Sequence, residues 1–186
     1  MNLISNFSAW LRSLNESSKS KYEYGCAMVY YDFPQMKELH DLISPDDIYH
    51  EAGDNSYGLE DEPHTTLLFG FHEDVPADEV LSLCKEFKYP DLKLHKASCF
   101  NNEKYDVLKF DVDSPALHNV NKAITSRFAD RYTTDYPDYH PHCTIVYVKK
   151  GKGQQYADLI NGSSYNVTPK KLVYSMPNGK KKEMAL

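Results

Sequence analysis

No apolar run in this 186-residue chain approaches the ~20 residues that a membrane-spanning helix needs, so no membrane partner is expected. The opening residues, Met1-Asn2-Leu3-Ile4-Ser5-Asn6-Phe7, lack the basic stretch and cleavage site of a secretory signal. The four cysteines, Cys26, Cys84, Cys99 and Cys143, show no C-x-x-C spacing. That argues against a zinc site and a disulfide framework, and for reduced, mostly buried thiols in a cytoplasmic protein. Basic residues are scarce where the chain is longest. Residues 1–140 hold 13 Lys and Arg against 25 Asp and Glu, whereas residues 141–186 hold 8 against 2. With a net charge of −6, the protein is poorly suited to long duplex nucleic acid, which is gripped through many Lys and Arg contacts to phosphate.

The length fits one domain able to bury a core without staples. Leu3, Phe7, Trp10 and Leu14 recur at helical steps and predict an amphipathic helix, followed by a Ser- and Lys-rich linker, over 1–21. The domain proper is expected over 22–176, with a basic, frayed C-terminal tail over 177–186. Residues 25–31 read as a strand, and Pro34 opens a helix with Met36, Leu39, Leu42 and Ile43 on its apolar side. Residues 45–62 form an acidic loop long enough to be a flap or disordered. A helix over 76–87, a hairpin of strands 92–100 and 105–112, and a helix capped by Ser114 follow. Arg131 to Tyr139 is an aromatic loop, 154–160 a short helix, and 165–167 and 171–175 are closing strands. The class is α+β.

The most informative pattern occurs twice. His64-Thr65-Thr66 opens the apolar run Leu67-Leu68-Phe69, and His142-Cys143-Thr144 opens Ile145-Val146-Tyr147. Such runs read as buried strands, along which residues i and i+2 share a face. Two strands side by side would therefore present two imidazoles and two hydroxyls to one cleft. One imidazole can take a proton from an attacking hydroxyl while the other protonates the leaving oxygen, and the hydroxyls can hold phosphate oxygens. On this register Tyr147 falls on the face opposite His142.

With both motifs intact, the chain resembles the 2H phosphoesterase superfamily, the LigT-like or 2′–5′ RNA ligase-like proteins, from about Tyr24 to about Ser175. The resemblance implies a bilobal α+β fold, two antiparallel-sheet lobes flanking a central groove with helices on the outside. It also implies a metal-independent phosphodiesterase without cofactors, in which His64, Thr66, His142 and Thr144 are catalytic. The family includes RNA-end 2′,3′-cyclic phosphodiesterases and viral enzymes that degrade immune-signalling oligonucleotides, so immune evasion is within its range. The expected partner is a small nucleotide or short oligonucleotide, cyclic messengers included. Tyr30, Tyr136 and Tyr139, among 15 tyrosines, are candidates to stack on its bases, a contact worth ~1–3 kcal/mol per base.

Competing readings remain at this point. His140 precedes His142 by two residues and shares its face if the strand already runs through Pro141. His140, His142 and His64 with a carboxylate would make a zinc or iron site, although no carboxylate is spaced to join them. A domain of this shape is also able to bind a nucleotide without cutting it. His40, His95 and His118 read as packing or surface residues, His72 as a strand end, and His50 as a loop residue able to reach the groove.

Overall fold

The computed structural model describes residues 23–54, 56–136 and 138–186, so the helix and linker expected over 1–21 lie outside the described residues. Eight strands form two antiparallel four-stranded sheets. The first sheet has the order β2 (His64–Phe71), β1 (Gly25–Tyr31), β7 (Pro169–Ser175), β8 (Lys181–Ala185). The second has the order β5 (His142–Lys149), β4 (Tyr105–Val112), β3 (Leu92–Asn101), β6 (Tyr165–Val167). Each His-x-Thr strand is thus the edge of its own sheet, and the two edges meet, β2 against β5. This is the bilobal α+β arrangement with a central groove.

Period-two alternation decides which face of each sheet is covered. In the first sheet Ala27, Val29, Tyr31, Leu67, Leu172 and Tyr174 are buried on the outer face, where helices α2 (Ala77–Lys85) and α3 (Pro115–Arg127) pack. In the second, Leu108, Phe110, Val112 and Cys143 are buried on the side where α1 (Met36–Asp41) and α4 (Gly153–Ile160) lie. These side chains belong to one continuous core that runs through both lobes. Helix α3 begins as its sequence dictates: Ser114 caps it by accepting from Leu117 N at 3.4 Å, and Pro115 fills the first helical position. No helix among the described residues is long and apolar enough to cross a membrane.

Three expectations need correction. Residues 177–186 are not a frayed tail, because Lys181–Ala185 pairs along its whole length with Lys171–Ser175 of β7. Lys182 is further pinned to Asp78 of α2 at 2.6 Å. The described residues of the acidic stretch 45–62 do not form a free loop. After a 3-10 turn at Pro45–Asp47, its two arms lie along the outer edge of β5. Ile48 bridges Val148, Leu59 bridges Val146, and Glu60 N donates to Ile145 O at 3.0 Å. Helix α1 ends at Asp41, which leaves Leu42 49% exposed instead of in the core.

The loop that delivers the second motif is sewn to the end of the first motif's strand. Thr133 N donates to Gly70 O at 2.9 Å, His72 N donates to Arg131 O at 3.0 Å, and Phe71 bridges Tyr132. Gly70 has φ +110°, and a Cβ placed there would lie 1.8 Å from Thr133 O. Only glycine permits this approach. Gly70→Ala should therefore destabilise by about 1–3 kcal/mol through strain and overpacking. Gly162→Ala is the comparison, with φ +90° but nothing within 4 Å of the added carbon. In urea denaturation Gly70→Ala should cost clearly more; equal costs would mean that the Thr133 contact does not constrain the fold.

Candidate active site

The middle residue of each motif is buried and the flanking residues are not. Thr65 and Cys143 are both 0% exposed, whereas His64, Thr66, His142 and Thr144 are half-buried on the groove side. Tyr31 lies beside both buried residues: its hydroxyl is 3.0 Å from Thr65 Oγ1, and the Cys143 thiol, close enough to Tyr31 to feel it, donates to Thr144 O at 3.6 Å. Burial pushes that thiol up to about 12, which makes it a packing group and not a nucleophile.

Both histidines are held in the same way. His64 Nδ1 lies 2.7 Å from Glu62 O, and His142 Nδ1 lies 2.8 Å from His140 O. A carbonyl only accepts, so in each ring Nδ1 carries the hydrogen and Nε2 is left for chemistry. His140 thus contributes its backbone carbonyl, and the ring that faces the groove is that of His142. The two rings are close enough for the charge on His64 to act on His142.

Their surroundings differ. His64 stacks on Tyr30 with centroids 5.1 Å apart and an interplanar angle of 23°, and Glu60 Oε2 lies 3.9 Å from its Nδ1. The ring therefore forms an ion pair whenever it is protonated. His142 meets Phe100 edge-on at 5.0 Å and has Asp111 directly across on β4, with Lys109 opposite Thr144. Lys109 is only 5% exposed. Its ammonium donates to Ser98 Oγ at 2.8 Å, pairs with Asp111, and sits 4.4 Å above the Phe100 ring. Burial, then the positive charges of Lys109 and His64, push His142 below the ordinary histidine pKa; the bond to His140 O and the Asp111 charge oppose them.

The tyrosines divide. Tyr30 is 6% exposed, and burial raises its phenol to about 12. It lies beneath His64, with Lys171 Nζ 5.4 Å and Lys181 Nζ 5.7 Å from its ring centroid. Lys181 also pairs with Glu62, so β8 braces the first motif. Tyr139 donates to Thr66 O at 2.8 Å and packs edge-on with His118. It holds the second-motif loop to the first-motif strand. Tyr136 alone of the three candidates offers an open ring, at 73% exposure.

Tyr147 overturns its expected orientation. The β4–β5 register shifts between Leu108 and Lys109, so Ile145 is an extra residue and Tyr147 pairs with Val107 on the groove face. The Ile145 carbonyl of this bulge is fixed by His40 Nε2 at 3.0 Å and by Glu60 N at 3.0 Å. His50 packs on Gly58 in the 45–62 segment, and His72 Nε2 bonds Thr133 Oγ1 at 2.9 Å. Lys109 and Asp111 were the missed groove residues. Their signal was present as polar residues at alternate positions of an otherwise apolar strand. Among the described residues no three His, Cys, Asp or Glu side chains gather as a metal site would require.

Comparison with known proteins places this geometry. Kluyveromyces marxianus Usb1 superposes with a TM-score of 0.53 at 10% identity, covering 89% of this chain and 99% of that one. The same protein with uridine monophosphate gives 0.52 at 11% identity, covering 88% and 98%. Escherichia coli LigT gives 0.47 at 20% identity, covering 88% and 95%. At such identities the likeness is one of fold. No curated protein sequence matches the chain. The profile of the 2′-5′ RNA ligase superfamily matches residues 35–169, which include both His-x-Thr strands and the groove between them. The chain is therefore a member of the 2′-5′ RNA ligase superfamily, the 2H phosphoesterases.

Proposed function

We propose that the protein is a metal-independent phosphodiesterase that opens a cyclic phosphate or cuts an internucleotide linkage in a small oligonucleotide, cyclic messengers included. His142 serves as general base and His64 as general acid. The observation that carries this reading is the matched pair of Nδ1–carbonyl bonds on two meeting edge strands, which frees two Nε2 atoms for one groove. Burial and Lys109 favour a neutral His142, whose Nε2 lone pair can accept a proton.

In this mechanism His142 removes the proton of the attacking hydroxyl, either water on a 2′,3′-cyclic phosphate or the neighbouring ribose hydroxyl on an internucleotide bond. His64 gives its proton to the leaving oxygen, and proton exchange with solvent restores both rings. The Thr66 and Thr144 hydroxyls donate to the non-bridging oxygens as negative charge builds. Lys109, opposite Thr144, supplies a fixed positive charge beside them. Tyr136 is the open aromatic surface for a base. The comparison with Usb1 bound to uridine monophosphate supports a nucleotide ligand.

His64→Ala and His142→Ala should each lower turnover of a cyclic or linear oligonucleotide by about 10²–10⁴-fold. The double variant should be little worse, since the two act as a unit, and EDTA should leave the rate unchanged. Recovery of intact nucleotide in a tight complex with the wild-type protein would replace this reading with a binding module.

Thr66→Val and Thr144→Val should each cost about 2.7–4 kcal/mol of transition-state stabilisation. Thr65→Val removes the partner of the Tyr31 hydroxyl; it should lower stability by about 1–3 kcal/mol while turnover persists. The reverse pattern, with Thr65→Val inactive and Thr66→Val silent, would overturn the assignment of the threonines.

The rate should fall as acid protonates His142. Lys109→Met removes a cation that holds its pKa down and leaves the opposing Asp111 charge in place. The acidic limb of the pH–rate profile should therefore move to higher pH. An acidic limb unmoved by Lys109→Met would exclude His142 as the base.

A further inference from the structure

Past Thr144 the groove face of the second sheet does not end. The bulge at Ile145 turns Tyr147 onto it, Lys149 follows two residues later, and Tyr105 of β4 lies opposite Lys149. Tyr49 and Tyr57, from the 45–62 segment, complete a row. Tyr57 meets Tyr147 at 5.3 Å and Tyr105 at 5.1 Å, and Tyr49 meets Tyr105 at 5.0 Å. All four rings are half-buried. Burial keeps the Tyr49 and Tyr105 phenols above their ordinary pKa and takes Tyr147 to about 12, so these three rings carry no negative charge near neutrality.

Beyond Tyr49 the surface dips into a hollow of about 720 Å³ walled by Lys104, Lys149, Lys150 and His50. Lys104 faces Glu51 at 3.5 Å, and Lys150 lies 3.6 Å from Asp106. Asp106 is itself committed to Gly151 N and Gly153 N, at 2.8 and 2.9 Å. Lys149 has no carboxylate partner among the described residues. Asp46 is the acidic member of the wall. Cations at the end of an aromatic row form the combination that single-stranded nucleic acids use, with bases on rings and phosphates on lysines.

We propose that this hollow is a distal phosphate subsite for a linear single-stranded oligonucleotide, whose bases cross the tyrosine row between the two histidines and the three lysines. The proposal rests on the groove being a nucleotide site, as argued above. From Thr144 to Lys149 the strand advances ~16 Å, which a stacked strand at ~3.4 Å per nucleotide crosses in about five nucleotides. A dinucleotide or a compact cyclic messenger seated at the histidines cannot reach the hollow. The subsite therefore selects linear substrates by length, and the histidines alone would not.

The test measures binding apart from cleavage. End-labelled oligouridylates of two, four and six nucleotides are titrated into His142→Ala protein by fluorescence anisotropy, at several salt concentrations. The hexamer should bind at least ~10-fold tighter than the dimer, as one extra stacked base or a few phosphate contacts suffice for that gain. Adding Lys104→Ala and Lys149→Ala should bring the hexamer-to-dimer ratio towards one and reduce the hexamer's salt slope by about 1.4, at ~0.7 per phosphate contact. A hexamer that binds no tighter than the dimer, or a ratio and salt slope that survive both substitutions, would overturn the subsite. Length-dependent binding abolished by the lysine substitutions, with no cleavage by wild-type protein, would support the subsite while rejecting the phosphodiesterase reading.

Discussion

The contact on which the site depends is the buried seam of Tyr31, Thr65 and Cys143. A strand has two faces, and a residue buried on one side forces both neighbours to the other. Thr65 and Cys143 are the middle residues of the two motifs, both fully buried, and Tyr31 lies beside both, its hydroxyl bonded to Thr65. Closing the lobes over these residues leaves His64, Thr66, His142 and Thr144 no direction but the groove. The polar atoms in the seam add a constraint that apolar packing would lack. A one-residue slip of either strand would bury an imidazole, and a slip of β2 would also take Thr65 from the Tyr31 hydroxyl, at a cost comparable to a large share of a domain's net stability.

The same logic explains why the two halves of the groove are chemically unlike despite their shared motif. The first histidine has an aromatic ring beneath it and a carboxylate beside it; the second has a buried ammonium in its neighbourhood. Two equivalent imidazoles would compete for the same protonation state. Burial and nearby positive charge hold His142 below the ordinary histidine pKa, which under the proposed mechanism suits it to act as the base of the pair. Lys109 is held in a nearly buried position by Asp111, Ser98 and the face of Phe100. This polar cluster faces the groove and not the core, so it does not interrupt the apolar packing behind it.

The 45–62 segment links the lobes and extends the site. It leaves α1, lines the free edge of β5, and turns directly into β2. In doing so it fixes the Ile145 bulge through Glu60, places that same residue's carboxylate beside His64, and adds Tyr49 and Tyr57 to the groove face. Pairing along β5 also covers an edge that would otherwise be open to another strand.

Much of this was legible in the sequence because it is local. The strand over 25–31, the hairpin 92–112, the Ser114 cap and the i, i+2 placement of each His with its Thr follow from alternation, turn chemistry and capping. These act between residues a few positions apart. Resemblance to a family supplied the bilobal fold. What tertiary structure alone decided is set by contacts across the chain. The bulge that turns Tyr147 towards the groove is held by His40, 105 residues away, and nothing near Ile145 in the sequence announces it. Lys181–Ala185 reads as a basic tail because its exposed face is charged, yet pairing with β7 makes it a strand that brings Lys181 to Glu62. Tyr30 and Tyr139 look like free aromatics until His64 and the Thr66 carbonyl are placed beside them. Alternation along one strand fixes which way a side chain points; only the neighbouring element fixes what it meets.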